Sequence, residues 1–311
     1  MAGRSDTTTF LDSHLSENRR IVLEKFWEQL IGVAGDIRRN RTAFAALIVL
    51  TTFVVVAVFA PYIAPYEPMA YHDSPDGTAM GMEPPSSTHI FGTTSLGQDV
   101  FSQWVFAARA SLLVGFLSGL SVTVIGVTVG LVAGYYKGTV DLVLMRVVDV
   151  LYGIPATPLI LIVAMFFGSS LWTVIIAMVL ILWRTMARVI RSQTLSLAER
   201  PFVKAARASG ASDLRIIFIH IAPNLLPLIF IQGTLAVGTA ILLEAGVSFL
   251  GIGAELSWGS MLQMTFATGA IRYAPWWVFP PGIALTLLIM SLFFLSRAIE
   301  DIAQPEMRSV K

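Results

Sequence analysis

The chain has 311 residues, of which 55% are hydrophobic and only 13% are charged, against about 25% charged residues in a typical soluble domain. Its 21 Lys and Arg nearly balance 20 Asp and Glu, and it contains no cysteine. The composition therefore predicts a membrane protein. It offers no charge excess for nucleic acid, and it excludes disulfides and thiolate metal sites.

The first 41 residues carry seven Lys or Arg and six Asp or Glu before any long apolar run. A secretory signal instead places a short basic region directly before a short apolar core, so we expect this segment to be retained. Apolar residues recur in it at helical spacing from Val22 to Ile37, with basic residues around them. The pattern predicts an amphipathic helix on the membrane face, although a helix in solvent or packed on another subunit would show it as well.

Six segments meet or approach the roughly 20 apolar residues that a helix needs to cross a bilayer. Three are free of charge, one is short and is expected to continue as a less apolar helix to near Arg188, and two are interrupted by prolines and charged residues. We therefore predict an all-α, polytopic membrane protein with six transmembrane helices. In chain order the segments are 42–60, 111–134, 140–168, 171–183, 216–249 and 278–296.

Basic residues are distributed unevenly between the segments that connect these spans. With the N-terminus inside, the cytoplasmic regions hold 19 of the Lys and Arg, and the external segments 61–110 and 252–277 hold 2. Because cytoplasmic loops retain positive charge, residues 1–41 and the C-terminal tail 297–311 are both predicted to be cytoplasmic. Proline is frequent in 61–110, which favours an extended external loop over a further helix, and the other five spans form a core from 111 to 296.

The cytoplasmic loop 184–215 has a pattern of its own. Pro201 suits the first turn of a helix, Gly210 the left-handed residue that ends one, and Ser212 the cap of the next. The loop is therefore predicted to be a helix, a glycine break and a second helix. A small, mildly apolar face of the first helix is formed by Phe202, Ala205, Ala206 and Ser209. A face of this kind can sit in a groove of another protein.

The run from Arg200 to Asn224 resembles the Glu-Ala-Ala loop of bacterial ABC importer permeases. In that loop a glycine and then Ile-x-Leu-Pro follow the Glu-Ala-Ala. The residues that match at the expected spacings are Ala205, Ala206, Gly210 and Pro223. Lys204 stands where the glutamate is expected, and His220 and Ala222 replace the isoleucine and the leucine. The resemblance implies that the loop docks into a cleft of an ATP-binding subunit and passes its movement to the spans.

Further motifs, in the same order along the chain, resemble the dipeptide/oligopeptide/nickel class of these permeases. They are Phe59-Ala-Pro-Tyr-Ile-Ala-Pro65, the segment from His89 to Asp99, the segment from Asp141 to Asp149, Val247 to Gly253, Trp258 to Leu262, and Pro275-Trp-Trp277. The long loop after the first span is similar to that of the second of the two permeases in such importers.

This resemblance implies a fold, a location and a set of partners. The fold would be that of an ABC type I importer permease in the cell inner membrane, surrounded by lipid. The partners would be a second homologous permease, two ATP-binding subunits that hold ATP and Mg, and an extracytoplasmic solute-binding protein. Peptides are the expected cargo, and nickel or oligosaccharides remain alternatives.

The chain contains no Gly-Lys dipeptide and therefore no phosphate-binding P-loop, and we expect no cofactor, metal or catalytic residue in it. Two acidic residues inside predicted spans are candidate translocation-pathway residues, because charge in a span usually faces protein or a water-filled cavity. Asp149 can instead form a structural pair with Arg146, three residues earlier, or lie near the cytoplasmic interface. Glu244 has no partner in its own span, although pairing across a subunit interface or a position near the external surface would explain it equally.

Small residues recur on the second span at Gly115, Gly119, Gly126, Gly130 and Gly134. A stripe of this kind lets two helices approach closely, so we expect it to pack against another span or another subunit. For His220 we expect packing or a hydrogen bond at the membrane face.

Two other classes of membrane protein deserve comparison. A secondary transporter driven by an ion gradient would show an inverted repeat and an acidic ion site near the bilayer midplane, and the chain shows no internal repeat. A membrane-embedded hydrolase would need a convergent Ser/His or metal constellation, whereas the four histidines are scattered.

Overall fold

The computed structural model describes residues 40–72 and 81–303. The predicted amphipathic helix between Val22 and Ile37 and the end of the C-terminal tail lie outside these residues. Within them, every regular element is helical. The α-helices are α1 (Arg41–Val58), α2 (Ala60–Ile63), α3 (Val100–Tyr136), α4 (Gly138–Tyr152), α5 (Ala156–Phe167), α6 (Leu171–Ala198), α7 (Pro201–Ala208), α8 (Asp213–Arg215), α9 (Ala222–Phe249), α10 (Trp258–Ala267) and α11 (Pro275–Ala303).

Five stretches of this chain are long and apolar enough to cross a membrane, and the pair α4 and α5 raises the number to six if the two form one broken span. Four of the five are α1, α3, α6 and α11. The fifth runs from Asp213 to Phe249, because a π-helical turn, Ile216–Ile221, joins α8 to α9 without a break. α3, α6 and α11 extend beyond the apolar cores predicted from the sequence. The prediction for 171–183, for example, ended near Arg188, and α6 continues to Ala198.

α3 begins well before the apolar run that predicts it. The Asp99 carboxylate caps its first turn, where Oδ2 accepts the Ser102 N–H at 2.7 Å, and Oδ1 lies 2.9 Å from His89 Nδ1. Ser102 and Gln103 follow, and both are fully buried against the preceding loop. Because the first turns of α3 contain polar residues, they were not recognised as part of the apolar span. The extended connection predicted over 61–110 therefore ends earlier, before α3 begins at Val100.

The third predicted span is broken sharply in its middle. α4 ends at Tyr152, α5 begins at Ala156, and their axes meet at 84°. Pro155 has no N–H to donate and disfavours helical geometry in the residue before it, so α4 cannot continue. The carbonyl oxygens of Leu151 and Ile154 accept hydrogen bonds from the Arg184 guanidinium of α6. A side chain of a neighbouring helix therefore satisfies backbone groups that the bend exposes.

The glycine stripe of α3 packs against two other helices of the same chain. Gly115 and Gly119 face α9, and Gly126, Gly130 and Gly134 face α6. An added Cβ would lie 2.5 Å from a Val237 side-chain carbon at Gly119, and 2.7 Å from the Ala187 carbonyl oxygen at Gly130. Contacts this short leave no room for a methyl group, so the stripe lets α3 approach both helices closely.

Three apolar clusters form the core of the bundle. The cluster at the end where α3 starts, called here the Asp99 end, contains Trp258 and Trp277. The second cluster, beside the first along α9, includes Ile160 and Met178. The third lies at the opposite end, the Gly210 end, where Val203 of α7 packs beside residues of α3, α6 and the π-helical turn. The α7 loop is thereby attached to the core of the bundle.

Candidate functional site

α7 ends in a left-handed turn at Gly210, as the sequence predicts. Pro201 occupies its first turn. At its other end the Ala211 N–H donates to the Ala206 carbonyl oxygen at 3.1 Å, and the Gly210 N–H donates to that of Arg207 at 3.0 Å. These two bonds form a Schellman motif, whose central residue must adopt positive φ. Gly210 has φ +81°.

The outer face of α7 is exposed while one residue anchors the helix inside. Val203 is fully buried, whereas Phe202, Ala205 and Ser209 are exposed. Ala206, predicted to share that face, is only half-buried and packs against the cluster at the Gly210 end. The structure thus presents a narrow apolar ridge on a helix that is held from behind.

Ionic contacts connect the start of α7 to the neighbouring helices. Glu199, which follows α6, pairs with Lys137, and its Oε2 lies 3.2 Å from Lys204 Nζ. Hydrogen bonds first from Lys137 and then from Lys204 hold the pKa of the Glu199 carboxyl below its usual value. The three side chains are well exposed, so solvent screens their attraction and the link contributes orientation more than stability. Lys204, at the position of the expected glutamate, is therefore used within this chain.

Tyr135, near the end of α3, supports the loop from the other side. Its hydroxyl donates to Asp213 Oδ1 at 2.7 Å, and the Arg207 guanidinium lies 5.4 Å from the centre of its ring. Both ends of the glycine break are thus tied to a single aromatic residue of a spanning helix. Tyr135 thus connects the α7 loop directly to α3.

Pro223 lies in the first turn of α9, directly after the π-helical turn. Proline supplies no N–H for the ladder of the preceding turn, and a local change to π geometry is one way for a helix to absorb that loss. The His220 carbonyl oxygen accepts a hydrogen bond from Asn224 Nδ2 at 2.6 Å. The structure thus places a backbone irregularity between the α7 loop and the long helix α9.

Three arginines of α6 face α4. Arg184 bonds the carbonyl groups at the bend, Arg188 Nη2 lies 2.7 Å from Asp149 Oδ1, and Arg191 forms a bidentate pair with Asp141. The predicted pair between Asp149 and Arg146 is therefore wrong. The two residues lie on one helix, but α6 offers Asp149 a guanidinium from a neighbouring surface. Sequence spacing reveals partners within a helix and has no access to partners on another.

Glu244 is enclosed inside the chain. Its side chain is 1% exposed. Ser248 Oγ donates to its Oε1 at 2.7 Å, and Ser111 Oγ donates to its Oε2 at 3.3 Å. Ser111 also accepts the Trp258 N–H at 3.4 Å, so the carboxyl lies where α3, α9 and the start of α10 meet. The expectation that Glu244 has no partner in its own span is therefore wrong, because Ser248 lies four residues later on α9. Ser111 of α3 supplies the second hydroxyl group.

Several contacts of this arrangement were not anticipated from the sequence. Arg184 and Arg188 both lie over the Tyr152 ring, with guanidinium carbons 4.9 and 4.1 Å from its centre. The available signal was the spacing of the arginines on α6, since residues three and four apart share a helix face. Within residues 40–72 and 81–303, no group of three or more His, Cys, Asp or Glu side chains could hold a metal ion.

Known proteins match the chain in sequence and in fold. Residues 126–309 match the family of binding-protein-dependent transport system inner membrane components, and residues 33–85 match the N-terminal TM domain of oligopeptide transport permease C. The dipeptide transport system permease protein DppC of Alkalihalophilus pseudofirmus is 36% identical over 278 residues, which cover 88% of this chain and 89% of the relative. The oligopeptide transport system permease protein OppC of Bacillus subtilis is 32% identical, covering 87% and 88%.

A solved structure shares the helical arrangement. A chain of the inward-facing MetNI methionine ABC transporter superposes with a TM-score of 0.53 at 20% identity, over 68% of this chain and 97% of that chain. At this identity the likeness supports the fold alone. With the family match it leads to one assignment: the chain belongs to the binding-protein-dependent transport system inner membrane components and is a transmembrane permease subunit of an ABC transporter.

Proposed function

We propose that this chain is the permease subunit of an ATP-driven importer of peptides and forms half of its translocation pathway. The relatives described above are named for dipeptide and oligopeptide transport. The observation that carries the coupling part of the proposal is the α7 ridge, an exposed apolar surface on a helix fixed to the core by Val203. The complete importer would add a second homologous permease, two ATP-binding subunits that bind ATP and Mg, and an extracytoplasmic solute-binding protein.

The proposed topology has six spans and both termini in the cytoplasm. Counting α4 and α5 as one broken span gives an even number of crossings, which returns the chain to the side where it began. The 19 basic residues of the regions on that side, against 2 on the other, supply the direction. The Gly210 end is then cytoplasmic and the Asp99 end external, in the inner membrane.

The proposed coupling step is a rigid-body movement of α7. Its ridge of Phe202, Ala205 and Ser209 has the size and polarity that suit a groove on an ATP-binding subunit. Closure of that subunit on ATP would push α7, and the contacts of Tyr135 and Glu199 would pass the push to α3 and α4. Lys204, which stands at the position of the glutamate in the loop that this segment resembles, contributes through its contact with Glu199.

The two acidic residues of the spans receive different proposed roles. Asp149 is about half exposed on the surface of α4, so we propose that it faces the pathway together with Arg188. Glu244 is enclosed by Ser111 and Ser248. We propose that it serves the pathway by holding the start of α10 against α3 and α9, and that it does not touch the cargo.

Uptake by the complete importer in proteoliposomes tests the cargo and the energy source. We expect uptake of labelled alanyl-alanine to require ATP and the solute-binding protein, and to resist an ionophore that removes ion gradients. Uptake that is independent of ATP and abolished by the ionophore would favour an ion-coupled secondary transporter. If nickel or an oligosaccharide reduced the uptake and unlabelled peptide did not, the competing compound would replace peptides as the assigned cargo.

Two substitutions at Gly210 test the coupling proposal. An added Cβ meets no atom of this chain within 4 Å, so within the chain its effect comes from the positive φ, and a side chain of similar size controls for contact with another subunit. Asparagine tolerates that conformation and valine does not. We expect Gly210→Val to insert normally but to lose most ATP-driven uptake, and Gly210→Asn to retain most of it. Normal uptake by Gly210→Val would contradict the proposed role of the loop.

A further inference from the structure

Most of the outward surface of the spanning helices is apolar, as contact with lipid requires. Leu180 of α6 is 53% exposed, Val124 of α3 57% and Leu242 of α9 60%. One strip is different. It contains the exposed pair of Asp149 and Arg188, with 53% and 49% of the two side chains exposed. Charged side chains on a spanning helix face other protein or water, because transfer to hydrocarbon is too costly.

The strip continues from this pair. The Arg188 guanidinium lies over the Tyr152 ring, and the Tyr152 hydroxyl donates to Thr185 Oγ1 at 3.3 Å. Thr185 in turn lines a cavity of about 120 Å³ between α3, α6 and α9. Gln232 and Thr239 line the same cavity from α9, seven residues apart on one helix face. These six residues, Asp149, Tyr152, Thr185, Arg188, Gln232 and Thr239, are called here the polar seam.

The polar seam runs from one boundary of the membrane to its middle. At a rise of 1.5 Å per residue, Arg188 lies about 26 Å along α6 from Leu171, near the far side of a hydrocarbon layer of about 30 Å. By the same rise Thr239 lies about 15 Å from the end of α9 at Phe249, which is close to the midplane. Polar groups recur over this distance, with apolar residues such as Leu182 and Leu235 between them in the cavity. Such a strip suits one wall of a water-filled path that opens at the Gly210 end.

The chemistry of the polar seam indicates what passes along it. Its groups are two hydroxyls, a phenol, an amide and one acid-base pair, so the six residues offer hydrogen-bond donors and acceptors without net charge among themselves. The neighbouring Arg184 guanidinium, 4.9 Å from the centre of the Tyr152 ring, is engaged by the carbonyl groups at the bend of α4 and α5. Backbone amides of a short peptide find partners on the polar seam whatever the side chains carry. Because Asp149 and Arg188 neutralise each other at 2.7 Å, neither excludes cargo of its own sign.

We infer that the polar seam is this chain's wall of the cargo path and that it accepts short peptides irrespective of their net charge. The inference rests on the proposed function for the identity of the cargo. The assignment of the wall rests on the exposure, the contacts and the depth of the six residues.

Cysteine accessibility tests the wall, and the chain contains no native cysteine to confuse the result. Single variants Thr185→Cys, Gln232→Cys and Thr239→Cys are compared with Leu180→Cys and Val124→Cys in the assembled importer in inside-out vesicles. Leu180 lies about 14 Å along α6 from Leu171, so it matches the depth of Thr239 on an apolar surface. A membrane-impermeant methanethiosulfonate should label the three seam variants at least about tenfold faster than the two controls, and alanyl-alanine with solute-binding protein should slow the labelling.

Equal labelling of seam and control positions would overturn the inference. Cross-linking of the seam cysteines to another subunit, without labelling, would also overturn it, because the strip would then be a buried protein contact. These outcomes do not depend on transport. An importer that fails to take up peptide would refute the proposed function while the labelling pattern still decides whether the wall is correctly placed.

Charge selectivity tests the second half of the inference. Arg188→Gln leaves Asp149 unpaired, and a single negative charge on the wall should reduce uptake of alanyl-glutamate about fivefold or more relative to alanyl-lysine, since charges interact strongly in a partly desolvated path. Asp149→Asn should shift the preference in the opposite direction. Arg191→Gln is the matched control, because its pair with Asp141 lies off the polar seam and is less exposed. Unchanged selectivity in the two seam variants, or the same shift in the control, would overturn the assignment.

Discussion

An alanine at Gly130 tests the close contact between α3 and α6. Its Cβ would lie 2.7 Å from the carbonyl oxygen of Ala187 and 2.7 Å from Cβ of Ile190, whereas ordinary van der Waals contact begins at 3.4 Å. Neither neighbour can rotate away, because one belongs to the backbone and the other is fixed to it. The two helices must therefore separate by several tenths of an ångström, and overpacking of this kind costs about 1–3 kcal/mol.

Gly246→Ala is the matched control for this prediction. Gly246 is also helical, in α9, and an added Cβ there meets no atom within 4 Å. Both substitutions gain the same helix propensity of about 1 kcal/mol, so the difference between them isolates the overpacking. That difference corresponds to a midpoint of thermal unfolding lower by about 5 °C for Gly130→Ala.

The assay is size-exclusion chromatography of the detergent-solubilised importer after a series of heat steps, with the fraction of intact complex plotted against temperature. A midpoint for Gly130→Ala equal to that of Gly246→Ala would refute the reasoning. It would mean that α3 and α6 are not packed closely enough for a methyl group to matter.

Three further predictions concern other contacts. Asp99→Ala removes the cap of α3 and leaves His89 without its partner. We expect the free energy of unfolding to fall by about 2–3 kcal/mol, seen as a lower midpoint in the same heat assay. Asp99→Asn keeps the cap, so its free energy of unfolding should fall less. Arg184→Ala removes a hydrogen bond from the Leu151 carbonyl and leaves the Ile154 carbonyl without its Arg184 partner. We expect it to lower the free energy of unfolding by about 1–3 kcal/mol, seen as a lower midpoint, while the exposed Arg146→Ala stays near the parent. Equal effects would show that the bend does not need Arg184. The pKa of Glu199 is lowered from its ordinary value of 4.5. The carboxyl therefore stays ionised at every pH above 4.5, and its ion pair with Lys137 is lost only when the pH falls below the ordinary pKa. Glu199→Gln should therefore change ATP-driven uptake by the same factor at about pH 6 and about pH 8, and an effect confined to one of these pH values would contradict this reasoning.

Much of the fold could be predicted because lipid imposes a simple rule on the chain. Every spanning helix must satisfy its backbone internally and present apolar side chains, so the spans appear as apolar runs. The start of α3 was not predicted, because its residues do not form an apolar run. Ser102 and Gln103 are polar, yet both are buried against the preceding loop through partners that only the folded chain supplies.

The α7 loop was predicted well because its signals are local. Pro201 and Gly210 act through their own backbone geometry, and two hydrogen bonds within a few residues complete the turn. The polar contacts of the spans were predicted poorly. For Asp149 a partner on its own helix was considered, whereas Arg188 approaches from another helix. Glu244 was given no partner, although Ser248 lies one turn later on α9 and Ser111 approaches from α3.

The amino-acid sequence by itself determined the number of apolar segments, the uneven distribution of basic residues and the glycine break of the loop. Each of these follows from the composition of a short stretch or from the φ angle of one residue. Only the tertiary structure decided which polar groups meet. Arg184 reaches the bend of α4 and α5, and Arg188 reaches Asp149, because α6 packs beside α4 and α5 and brings side chains from distant parts of the chain within hydrogen-bond distance.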